Sequence, residues 1–91
     1  MYYMLLYDYV EDIERLRAPH RASHLSLLNE RLSRGEVVMA GAWTDPTDGA
    51  AIVFKADHRE AVERFAESDP YVQNGLVPSW RIREWNVVVG G

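Results

Sequence analysis

Apolar residues fall along this chain in four short runs of strand character, separated by two stretches of helical period. The first run, Tyr2-Tyr-Met-Leu-Leu-Tyr7, is aromatic and apolar on both faces. Tyr3, Leu5 and Tyr7 share one face and Tyr2, Met4 and Leu6 the other, which suits a strand covered on both sides. Glu11 to Leu16 is polar and reads as a loop or short helical turn. Pro19 fits the first turn of a helix, where a missing N–H costs nothing. Ala22, Leu25, Leu28 and Leu32 then recur at helical spacing and predict a buried stripe. Arg31 and Arg34 suit the negative end of the helix dipole, and Gly35 supplies a left-handed stop.

Glu36 to Trp43 predicts a second strand, with Val37, Met39 and Trp43 on one face and Val38, Ala40 and Ala42 on the other. Asp45-Pro-Thr-Asp-Gly49 has turn chemistry, and Ala50 to Ala56 predicts a third strand forming an antiparallel hairpin with the second. Asp57-His-Arg-Glu60 reads as a capping box that opens a second helix with Ala61, Val62, Phe65 and Ala66 on its apolar face. Asp69 and Pro70 suit the cap and first position of a further helical turn ended by Gly75. Ser79 to Val89 predicts the last strand. Its apolar phase slips between Ile82 and Trp85, and a bulge near Glu84 accounts for the slip.

Strand, helix, strand, strand, helix, strand is the ferredoxin-like βαββαβ order of an α+β domain. It predicts a four-stranded antiparallel sheet with both helices on one face, in a single domain over residues 1–91. Several strands are apolar on both faces, so the bare side of the sheet would be a large exposed patch. A second copy packed face to face over it, as a homodimer, resolves this. Composition agrees with a single globular domain: 47% hydrophobic and 26% charged, with a formal net charge of -4. Basic residues are interleaved with acids, so no stripe for nucleic acid or an anionic membrane is present. The chain has no cysteine, which excludes disulfides and thiolate chemistry. The first ten residues lack a basic leader and a cleavage site, so a cytoplasmic protein is expected.

The chemistry of interest lies in Arg17-Ala-Pro-His-Arg-Ala-Ser-His-Leu25. His20 and His24 are four residues apart, on one face of a helix with about 3.6 residues per turn. Their spacing matches metal-binding pairs, with Asp69 or His58 as a third ligand, but Arg21 replaces the usual Glu and His58 falls in the exposed first turn of the second helix, so no metal and no cofactor is assigned. Taken alone, His24 reads as a half-exposed residue on a helix flank. The topology, however, puts both helices on one sheet face, so His24 and Asp69 can meet. A carboxylate that caps a turn with one oxygen and holds an imidazole with the other makes a general base. Asp69 is also fully accounted for as a helix cap. Trp43, Trp80, Trp85 and Tyr71 can line an apolar pocket beside the histidine or serve simply as core. Arg17 and Arg21 can hold an anionic group or form a solvated helix face.

The aromatic first strand, the Arg17–Leu25 segment, Gly35-Glu36, Ala40-Gly-Ala42, the Asp45–Gly49 turn and Ser68-Asp-Pro-Tyr-Val-Gln-Asn-Gly-Leu76, followed by Trp80 and Trp85, together resemble the YciI-like (YCII-related) family of small bacterial proteins. The resemblance spans nearly the whole chain. It implies a ferredoxin-like fold assembled as a dimeric α+β barrel. It also implies an active site on the first-helix histidine and the Asp-Pro aspartate, here His24 and Asp69. Relatives with lyase activity on a chlorinated aromatic, within a superfamily that includes isomerases and monooxygenases, suggest proton abstraction on a small cyclic or aromatic molecule. A non-catalytic ligand-binding or interaction module is the alternative. His24 and Asp69 are the expected catalytic pair, with His20, Arg17, Tyr71, Trp43 and Trp80 as expected substrate contacts.

Overall fold

The computed structural model describes residues 1–91. The elements are β1 (Tyr2–Asp8), α1 (Ile13–Leu16), a 3-10 turn (Ala18–His20), α2 (Arg21–Ser33), β2 (Val37–Ala42), β3 (Gly49–Lys55), α3 (Arg59–Ser68), α4 (Pro70–Gln73) and β4 (Ser79–Trp85). The strands form one antiparallel sheet in the order β2-β3-β1-β4. This is the ferredoxin-like α+β fold expected from the element order, with α2 and α3 on one face.

The core lies between that face and the helices. The odd residues of β1 (Tyr3, Leu5 and Tyr7) are buried with Ile52 and Phe54 of β3, Ile82 of β4, and Val62, Phe65 and Ala66 of α3. Phe54 and Phe65 meet edge to face, 5.1 Å between ring centroids, a favoured aromatic geometry. Each large side chain fully buried here contributes about 1.5–3 kcal/mol. Tyr2, Met4 and Leu6 of β1 are half-buried on the outer face.

Four details depart from the sequence reading. First, β2 carries the irregularity. Val37 pairs with Phe54 and Met39 with Val53, so the register shifts between them. The extra residue puts Val37, Ala40 and Ala42 on the helix side and turns Met39 outward, 64% exposed. Second, β4 has no bulge. Its pairing with β1 runs unbroken from Asp8↔Ser79 to Tyr2↔Trp85. The strand ends at Trp85, short of the Val87-Val88-Val89 run. Third, the buried face of α2 is not Ala22, Leu25, Leu28 and Leu32. His24 is the one buried residue of the helix; Leu27, Leu28 and Arg31 are half-buried beside it, while Leu25 and Leu32 are exposed. This rotation brings His24 onto Asp69. Fourth, His58 takes the cap position of α3 without a side-chain cap bond, so the box at Asp57 does not form.

Gly35 ends α2 as expected. Its φ is +78°, and the N–H groups of Gly35 and Glu36 donate to the carbonyls of Leu32 and Arg31, a Schellman closure. The outer sheet face carries an apolar groove of about 510 Å³ lined by Tyr2, Met4, Met39, Trp43, Val53 and Trp85 among others. No helix is long and apolar enough to cross a membrane.

Candidate active site

The site is built where α2 crosses the start of α4. Asp69 leaves α3 in an extended conformation and caps α4, its Oδ1 accepting the Tyr71 N–H at 3.0 Å. Pro70 at the first helical position gives up no hydrogen bond there. The carboxylate is fully buried. It also accepts from His24 Nδ1 at 2.8 Å and from the Tyr7 hydroxyl at 2.7 Å. A buried carboxylate with three donors is a satisfied one.

His24 is 6% exposed. A carboxylate can only accept, so in the neutral imidazole Nδ1 carries the proton and Nε2 presents a lone pair. Nε2 has no hydrogen-bond partner in the chain and is not occluded. The ring lies flat on Tyr71, 3.7 Å between centroids and 7° between planes. Asp69 therefore positions both rings, one through its side chain and one through the cap. Tyr9 stands edge-on to Tyr71 at 6.2 Å.

These groups face a cavity of about 170 Å³ lined by Tyr9, Arg17, Arg21, His24, Leu25, Leu28, Ala40, Gly41, Ala42, Ala50, Ile52 and Tyr71. An apolar cavity of roughly 150 Å³ admits benzene, so the space suits one ring. The alanines of β2 and β3 make the room. Because of the bulge, Ala40 and Ala42 face this side, opposite Ile52 and Ala50.

Of the residues singled out in the sequence, His24, Asp69 and Tyr71 come together, with Arg17 on the same cavity. His20 is half-buried one turn before His24 and does not line the cavity. Trp43 follows the end of β2 and lines the outer groove, on the opposite side of the sheet from His24. Trp80 pairs with Tyr7 and packs against the core, and Trp85 lies in the outer groove. No three His, Asp or Glu side chains cluster as a metal site would require.

Tyr7 and Tyr9 are the site residues that the sequence reading missed. Burial pushes the Tyr7 hydroxyl far above its ordinary value of 10.0, helped by the Asp69 charge and the hydrogen bond to it. Burial, with Tyr71 and Asp69, pushes Tyr9 up to about 12 against the opposing charges of Arg17 and Arg21. Between pH 10 and these raised values the unfolded chain gives up tyrosine protons that the folded chain keeps. Stability is therefore full below about pH 10 and falls as pH rises beyond it. Alkaline denaturation should show this fall, and Tyr7→Phe should flatten it; an identical profile for the variant would contradict the assignment.

A family model for the YCII-related domain matches residues 1–86. The protein belongs to the YCII-related domain family. Among solved structures, its fold is similar to that of 5-chloro-2-hydroxyhydroquinone dehydrochlorinase from Burkholderia phenoliruptrix AC1100, in complex with 2,5-dihydroxybenzoquinone. The TM-score is 0.81 at 18% identity over 94% of each chain. No curated protein matches the chain.

Proposed function

We propose that this protein is a cofactor-independent enzyme of the lyase or isomerase type, in which His24 takes a proton from carbon in a small cyclic or aromatic substrate. One observation carries the reading: His24 Nδ1 is held by buried Asp69 at 2.8 Å, while Nε2 is unpartnered on a ring-sized cavity. Nε2 removes the proton, and the C–H electron pair expels a leaving group on the neighbouring carbon or shifts the double bond. The imidazolium, stabilised by Asp69 and by the face of Tyr71, later returns its proton to product or solvent. Arg17 and Tyr71 contact substrate in this reading; His20, Trp43 and Trp80 are given no contact by it. The dehydrochlorinase, whose name describes loss of chloride from a hydroquinone, supports elimination as the reaction type. The test is deuterium exchange from solvent into a panel of small cyclic compounds. The wild type should catalyse exchange or turnover of at least one ring. A protein that binds rings but exchanges and converts none of them would overturn the reading.

The same reading includes a homodimer through the outer sheet face. The apolar groove there, with Met39, Trp43 and Trp85 each about half exposed or more, supports it. Light scattering should give twice the 10.5 kDa chain mass; a monomeric mass at micromolar concentration would contradict it.

A further inference from the structure

The charge inventory of the chain leaves two arginines without an acid on the ring-sized cavity beside His24. Arg15, Arg31, Arg34 and Arg59 each pair with a carboxylate, and Lys55 lies over the Tyr2 ring at 5.8 Å. Arg64, Arg81 and Arg83 also pair with none but do not line this cavity; Arg17 and Arg21, likewise unpaired although acids outnumber bases fourteen to ten, do. They stand four residues apart and both line the cavity beside His24. Two like charges on one small cavity repel, and an anion between them removes the repulsion. Both act on the Tyr9 hydroxyl, opposing the rise of its pKa, so their charge is felt inside the pocket.

A second, independent observation points to the same ligand. Tyr71 is 1% exposed, and its hydroxyl is the one buried side-chain polar atom without a partner. Tyr7, equally buried, has Asp69. A buried hydroxyl without a partner is disfavoured, and Tyr71 lines the cavity. A ligand oxygen that reached it would satisfy it. The remaining wall, formed by Ala40, Ala42, Ala50 and Ile52, offers apolar contact and no polar side chain.

We propose that the cavity takes a single-ring organic anion whose ionised oxygens are held by Arg17 and Arg21, whose ring lies against the alanine wall, and which hydrogen-bonds the Tyr71 hydroxyl. This rests on the reading of the cavity as the substrate site and names its substrate class. A carboxylate matches the guanidinium fork; a phenolate or enolate offers the same charge on one oxygen.

The test is binding, read by calorimetry and thermal shift, of benzoate and para-nitrophenolate against their neutral counterparts benzamide and nitrobenzene. At least one anion should bind about tenfold or more tighter than its neutral counterpart, the worth of a charge-assisted hydrogen bond. The two anions separate carboxylate from phenolate recognition. Arg17→Gln with Arg21→Gln should abolish the preference; both side chains are free of ion pairs, so the fold should hold. Tyr71→Phe should weaken the anion roughly 3- to 10-fold while the unliganded melting temperature stays level or rises, an opposition that a purely structural tyrosine would not produce. Equal binding of anion and neutral ring, an unchanged preference in the double variant, or no binding at millimolar ligand would overturn the proposal. So would inorganic phosphate binding as well as benzoate, which marks a bare cationic patch. Anion binding without turnover of any ring would sink the proton-abstraction reading and leave this one standing. Turnover of a neutral ring, unaffected in the double variant, would do the reverse.

Discussion

Asp69→Ala should destabilise the fold by about 3 kcal/mol or more, whereas Asp69→Asn should leave most of the stability and remove most of the turnover. Asp69 is fully buried and satisfies the His24 ring, the Tyr71 N–H and the Tyr7 hydroxyl together. Alanine strips all three of their acceptor. Losing the cap alone costs about 1 kcal/mol, and each orphaned buried donor about 1–3 kcal/mol. These losses share one cluster and do not add fully, so about 3 kcal/mol is the lower end. Asparagine is a good cap and can keep its oxygen toward Tyr71 and His24. Its amide then donates to Tyr7, whose hydroxyl switches to accepting. What asparagine cannot do is stabilise an imidazolium. In a serine-protease triad the same exchange costs roughly 10⁴ in kcat. Denaturant melts and turnover on the same preparations separate the two effects. An alanine variant as stable as wild type would show that the cluster does not hold the fold.

His24→Ala should lower turnover by about 10² to 10⁴, the usual worth of a positioned general base. The stability cost should be smaller than for Asp69→Ala, because only one donor leaves and Tyr7 and the Tyr71 N–H still satisfy the carboxylate. The deletion opens a ring-sized hole beside Tyr71 and Asp69. Added imidazole should therefore restore part of the rate, with Asp69 again accepting its N–H. His24→Gln fills the same space without a base and should not be rescued. Turnover in His24→Ala within a few-fold of wild type would remove His24 from the chemistry.

The fold was readable because its strands announce themselves. Tyr2–Tyr7, Val37–Ala42, Ala50–Lys55 and Ser79–Trp85 are dense in β-branched, aromatic or small apolar residues, and the turn at Asp45–Gly49 forces a hairpin. The ends of the strands were less readable. β4 ends at Trp85, and the β-branched run Val87-Val88-Val89 lies outside it. The β2 bulge was hidden because Val37, Val38 and Met39 are all apolar, so parity carries no information there. In α2 the leucine periodicity misled. The helix turns His24 inward onto Asp69 and leaves Leu25 and Leu32 exposed. The His24–Asp69 contact was within reach of the sequence because a cap at Asp69 and two helices on one sheet face bring them close. Tyr7 and Tyr9 were not foreseen, although a tyrosine on the buried face of β1 needs a partner for its hydroxyl. That requirement was the available signal for Tyr7.

The central claim is that Asp69 fixes the His24 tautomer so that Nε2 faces the cavity as a free base. The ¹⁵N chemical shifts of the His24 ring, assigned against His24→Gln, read this directly. The account predicts that the neutral ring carries its proton on Nδ1, with a bare Nε2, in the wild type. It also predicts that this tautomeric bias weakens in Asp69→Ala. A neutral His24 protonated on Nε2, or a tautomer population indifferent to Asp69, would contradict it.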